Sequence, residues 1–194
     1  MVTVHQYSFD MNTLQDIVNE ISKVRPVDKA TKHSYINSYV KLFESRRGVP
    51  TTIVEAGVAS GESIKLWSMY FTHPSSRIIG LDFNTSDVIH QYDDRVSLFD
   101  GNVIDVTFVS NAIKDGVDIF IDDASHRCQD MITTFTIVKQ FMLPRGVYVI
   151  EDVPDANVVK MLTTMCTKDH LEFEVIDLRH VKGRYDDVLF VIKF

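Results

Sequence analysis

Asp122, Asp123 and His126 follow directly on the apolar run 117–121, and a second acidic pair, Glu151 and Asp152, closes the run GVYVI at 146–150. Carboxylates crowded at strand ends raise one another's pKa unless a cation neutralises them. In open α/β sheets, ligands bind beyond the C-terminal ends of the strands. If these two strands are neighbours, four carboxylates and one imidazole meet on one rim, and a hard divalent ion with oxygen ligands, Mg2+ or similar, accounts for the crowding. His126 would stand near the first turn of a long helix, Gln129 to Leu143, suited to take a proton from a bound hydroxyl as a neutral imidazole. Plainer uses exist for the same residues: Asp123 or Ser125 as a helix N-cap, and Glu151 and Asp152 as the start of the loop before Pro154. The remaining histidines have no comparable company except His33, within D-K-A-T-K-H-S-Y at 28–35.

A second candidate lies after the first strand, Thr51 to Ala56, where E55-A-G57-V-A59-S-G61-E-S leads into a helix beginning near Ser63. A glycine turn between strand and helix lets a ligand approach free backbone N–H groups. It is not a dinucleotide fingerprint, because position 59 is alanine and only two glycines remain. Glu55 before the turn favours a cationic ligand over a pyrophosphate. Asp82, ending the second strand RIIGLD, is placed to hold both hydroxyls of a ribose. A positively charged nucleoside satisfies both residues; the alternative is a tight turn with Asp82 as a cap.

The elements that must position these residues show in the hydrophobic rhythm. Asn12 to Val24 and Tyr35 to Phe43 carry apolar residues at helical spacing. From Thr51 short apolar runs alternate with amphipathic segments, the βαβ rhythm of a mostly parallel sheet covered on both faces. LEFEVIDL and DDVLFVIKF at the end are joined by a turn with no helix between them, which predicts an antiparallel last strand. With 194 residues and 45% hydrophobic composition, one domain over 1–194 is expected. A net charge of −7 argues against nucleic acid as partner. No apolar run is long enough for a membrane span. Cys128 and Cys166 lack metal-ligand spacing and the first twelve residues lack a signal-peptide layout, so a cytoplasmic location is expected.

In this order, E-A-G-V-A-S-G, GLD, IDDASH and P-x-G-x-Y-V-I-E-D resemble the class I S-adenosylmethionine-dependent methyltransferases. Within them the chain is similar to the metal-dependent sugar O-methyltransferases of macrolide tailoring, the macrocin and mycinamicin type, and their cephalosporin-hydroxylase-like relatives. The likeness spans roughly residues 28 to 152. It implies a Rossmann-like α/β fold with a seven-stranded sheet, its antiparallel seventh strand inserted between the fifth and sixth. Residues 1–50 would form an N-terminal helical lid and 51–194 the core. It also implies S-adenosylmethionine and Mg2+ as cofactors and a sugar or glycan hydroxyl as acceptor. Glu55, Gly57, Ala59 and Gly61 would line the cofactor's methionine part, Asp82 its ribose, and Asn102 its adenine, where the family often has an aspartate. Asp122 would support the site from behind, and Tyr35 or His33 would close over the cofactor. Asp123, Glu151 and Asp152 would hold the metal, with Asp123 and His126 in the catalytic step and His126 as general base. The large additional N-terminal region of the macrolide enzymes has no counterpart here, so a second subunit in a homodimer could complete the site. Rival functions are methylation of a catechol-like diol, nicotinamide-dependent oxidation, and a non-catalytic nucleotide-binding module.

Overall fold

Residues 13–194 are described by a computed structural model; the first twelve, including His5 and the stretch weighed as a leader, lie outside the described residues. The first helix, α1 (Leu14–Ile21), starts later than the periodicity suggests because Thr13 closes a capping box with Asp16. A single turn, α2 (Asp28–Thr31), precedes α3 (Ile36–Phe43). Then come β1 (Thr52–Ala56), α4 (Glu62–Tyr70), β2 (Arg77–Asp82), β3 (Val96–Asp100), α5 (Val106–Ile113) and β4 (Val117–Asp122). They are followed by α6 (Cys128–Val138), β5 (Met142–Ile150), α7 (Ala156–Lys168), β6 (Glu172–Asp177), α8 (Arg179–Lys182) and β7 (Val188–Lys193).

The seven strands form one sheet in the order β3-β2-β1-β4-β5-β7-β6. β7 runs antiparallel between β5 and β6, as expected. Two expectations need correction. The helix drawn from Gln129 to Leu143 ends at Val138, because Met142 and Leu143 already belong to β5. There, a register shift against β4 accommodates Pro144, which has no ladder N–H, and the left-handed Arg145. The C-terminal connection also holds the short helix α8.

Each face of the sheet has its own core. Leu14, Ile17, Tyr35, Tyr39 and Phe43 pack with Trp67 and Ile121 on one face; Phe120, Phe135, Tyr148 and Phe190 gather on the other. α1 and α3 are thus built into the core, and α4 packs against α1. Among the described residues no helix is long and apolar enough to cross a membrane.

Strand order reverses between β1 and β4, so the chain leaves these two neighbours in opposite directions and a crevice opens beyond their ends. β4 in turn pairs with β5, which sets Asp122 opposite Ile150 and brings the two acidic strand ends side by side.

Candidate active site

The loops after β1 and β4 are pressed together. Gly57 has φ +92°, and a Cβ there would lie 2.0 Å from the carbonyl oxygen of Asp123. Only glycine fits that backbone and that approach. Gly57→Ala should cost roughly 2–4 kcal/mol from strain and overpacking together; urea denaturation measures it, and wild-type stability would show that the loops can part freely.

A cleft of about 470 Å³ opens beside this contact, lined by Gly57, Asp82, Phe83, Asn102, Ile104, Ala124, Ser125, Arg127 and Asp130 among others. Asp82 organises its floor: Oδ2 accepts the N–H of Val58 (2.7 Å) and of Ala59 (3.1 Å), turning the glycine loop around one carboxylate. Of the residues expected around a cofactor, Gly57, Asp82 and Asn102 face this cleft. Ala59, left-handed at φ +48°, contributes its N–H to Asp82, and Gly61 caps α4. Phe83, Arg127 and Asp130 were not foreseen, since nothing in their spacing separates them from ordinary surface residues.

The other expected cofactor residues lie beneath the rim. Asp122 is buried, accepts a hydrogen bond from Tyr148 (3.0 Å), and has its pKa pushed up to about 7 by burial. Glu55 is fully buried and takes the indole N–H of Trp67 at 2.5 Å. Its cationic neighbour is internal. The ammonium of Lys29, only 1% exposed, lies 3.1 Å from Glu55, 2.7 Å from Asp123 and 2.7 Å from Glu151. The inference that Glu55 signals a cationic ligand is therefore corrected: the positive charge it meets is Lys29. Burial works against that charge, but Asp123, Glu151 and Glu55 outweigh it and hold the lysine's pKa well above its ordinary value.

Tyr35, expected over the cofactor, is instead buried with its hydroxyl on Asp152 Oδ1 at 2.5 Å, and among the described residues none before 57 lines the cleft. His33 stacks on Tyr35, with Nδ1 3.1 Å from the same Asp152 oxygen. Burial, and then the charge of Asp152, push the Tyr35 phenol up, so it stays a donor.

Asp123, His126 and Asp152 converge: their potential ligand atoms lie within 4.8 Å of one another. His126 Nε2 stands 3.7 Å from Asp123 Oδ1 and 3.8 Å from Asp152 Oδ2. His126 and Asp152 both adopt left-handed backbone, at φ +53° and +52°, a strained conformation that tends to cluster at functional sites. Glu151 sits deeper, only 1% exposed, its Oε1 shared between Lys29 and the Tyr39 hydroxyl. Neither Asp123 nor Ser125 caps α6, whose N-cap is Arg127; Ser125 hydrogen-bonds Asp130 at 2.6 Å.

The donor set fits a divalent cation. Three carboxylates, Glu55, Asp123 and Glu151, surround the one ammonium of Lys29, and Asp152 stands beside His126 as a fourth acidic group, so acidic groups outnumber the lysine at the rim. Burial raises the pKa of Glu151 and Asp152, and the neighbouring charge of Asp123 adds to it. Asp123 and Asp152 each turn one oxygen toward the outer, half-exposed His126, where a hard ion would find oxygen ligands.

No family model matches the chain. In sequence it is similar to the 8-demethyl-8-alpha-L-rhamnosyl tetracenomycin-C 2'-O-methyltransferase of Streptomyces olivaceus, at 30% identity over 141 residues, covering 64% of this chain and 34% of that protein. The mycinamicin VI 2''-O-methyltransferase of Micromonospora griseorubida is 30% identical over 129 residues, covering 62% of this chain and 31% of that protein. The chain spans about a third of the length of the curated relatives it matches. Among solved structures, the MycE methyltransferase from the mycinamycin biosynthetic pathway, in complex with Mg, SAH and mycinamycin VI, superposes with a TM-score of 0.71 at 22% identity, covering 91% of this chain and 54% of that one. The fold is therefore the Rossmann-like methyltransferase fold that the motifs resemble.

Proposed function

We propose that this chain carries an S-adenosylmethionine-dependent, Mg2+-dependent O-methyltransferase activity directed at a sugar hydroxyl. The observation that carries it is the contact of Gly57 with Asp123, which makes the cleft and the acidic rim share one wall, the loop 123–126. A cofactor in the cleft and an acceptor at the rim would then meet within reaction distance, and such positioning supplies much of a transfer rate. Both sequence relatives are named as O-methyltransferases, and the Streptomyces olivaceus one is named for a rhamnosyl compound, which favours a sugar over a catechol-like diol.

Asp82 has oxygen lone pairs left to accept ribose hydroxyls after binding Val58 and Ala59. Asn102 also lines the cleft, where it would meet the adenine, and Phe83, which lines the same cleft and is 68% exposed, would offer a ring face to it. Asp123 and Asp152 would hold the divalent ion, with Glu151 completing the acidic rim from below. When bound, the cofactor supplies an activated methyl group and the ion lowers the pKa of an acceptor hydroxyl. His126 takes the hydroxyl proton at Nε2.

Calorimetric titration with S-adenosylmethionine and, separately, NAD, followed by transfer of labelled methyl to a panel of rhamnosides and other deoxysugars, tests the proposal. S-adenosylmethionine should bind and NAD should not, and EDTA should abolish transfer until Mg2+ is restored. Binding of NAD alone would turn the assignment to an oxidoreductase. Transfer indifferent to EDTA would remove the metal from the reaction.

A further inference from the structure

Behind the rim, the segment 28–39 bonds the acidic strand ends one after another. Lys29 donates to Asp123 Oδ2 and Glu151 Oε1, Tyr39 to the same Glu151 oxygen, and Tyr35 to Asp152 Oδ1. Of Asp123 and Asp152, the oxygens these donors leave alone, Oδ1 and Oδ2, are the two that face His126. The segment is itself braced. Tyr35 N–H bonds the Lys29 carbonyl at 3.1 Å, and Lys182, in α8, reaches the carbonyls of Ala30 and His33 at 2.5 Å each. A carboxylate gripped at one oxygen by a fixed donor loses its rotation and presents the other oxygen in a set direction.

We propose that Tyr35 is a positioning residue for divalent-cation binding: its hydroxyl, held by the braced segment, grips Asp152 Oδ1 so that Oδ2 points with Asp123 Oδ1 into one coordination site. This rests on the reading that the rim binds a divalent ion, but the role belongs to a residue that touches neither ion nor cofactor. His33 stacks on the Tyr35 ring and keeps the hydroxyl in line. At Asp152 Oδ1 the Tyr35 hydroxyl, at 2.5 Å, is the nearer of two neighbours, the other being His33 Nδ1 at 3.1 Å.

The test uses the whole chain, without acceptor. Mn2+ binding is followed by the electron paramagnetic resonance of the free ion, S-adenosylmethionine binding by calorimetry, and metal-free stability by thermal unfolding, for the wild type and Tyr35→Phe. The variant should bind Mn2+ roughly 10–100-fold more weakly, with S-adenosylmethionine affinity unchanged and the metal-free midpoint close to wild type. Equal Mn2+ affinity in the two proteins overturns the positioning role and leaves the metal site standing. No Mn2+ binding by the wild type overturns both. Parallel losses of Mn2+ affinity, S-adenosylmethionine affinity and stability would make Tyr35 a structural residue only, and the inference would fall.

Discussion

Lys29→Met should lower the unfolding free energy by about 3–5 kcal/mol, the usual cost of removing one partner from a buried ionic cluster. Methionine fills the space of the lysine stem and supplies no charge, so the loss isolates the ammonium. Glu55 and Glu151 would remain buried without the cation that now lies 3.1 and 2.7 Å from them. Burial already raises the pKa of both carboxyls. In the variant they would take up protons on folding. A carboxyl whose folded pKa lies above its unfolded one binds more protons when folded, so its contribution to stability falls as pH rises out of the ordinary carboxylate range. The deficit of the variant should therefore be smaller near pH 5 than near pH 8, as urea denaturation in EDTA at both values would show. A wild-type midpoint at both pH values would mean that the cluster does not depend on its lysine.

Lys29 also marks the limit of what could be read from residues alone. The strand ends were legible because apolar runs stop at charges, and β4 and β5 are neighbours as the argument for a shared rim required. The glycine turn and Asp82 were legible from their place after the first and second strands. The lysine was not, because RPVDKATKHS has the composition of a solvated loop and nothing local shows its ammonium turned under the rim. A charge balance held the missing signal: several carboxylates at buried strand ends need a counter-ion, and the chain can supply one itself. Tyr35 was misplaced for a related reason. Its aromatic spacing marks a core helix face, and only the tertiary path of the segment sets its hydroxyl on Asp152 rather than over the cleft. The overlong helix after His126 came from apolar continuity, since Phe141 to Leu143 extend the helical pattern across the start of β5.

His126→Asn should reduce methyl transfer by roughly 10²–10⁴-fold, the range for losing a general base, while Mn2+ affinity stays near that of the wild type. Asparagine is the informative replacement. It tolerates the left-handed backbone that His126 adopts at φ +53° better than most residues, so the loop 123–126 keeps its path, and its amide cannot take a proton near neutral pH. Nε2 is 3.7 and 3.8 Å from the nearest carboxylate oxygens, too far for hydrogen bonds. The same position suits a base facing an acceptor hydroxyl or a third ligand beside Asp123 and Asp152, and the two roles differ in what the variant does to Mn2+ affinity. Oxygen donors from Asp123 and Asp152 suit a hard ion, which has no need of an imidazole. If His126 were a ligand, rate and Mn2+ affinity would fall together. If the rate did not change, the proton would leave by another route, and the acidic rim alone would carry the activation of the hydroxyl.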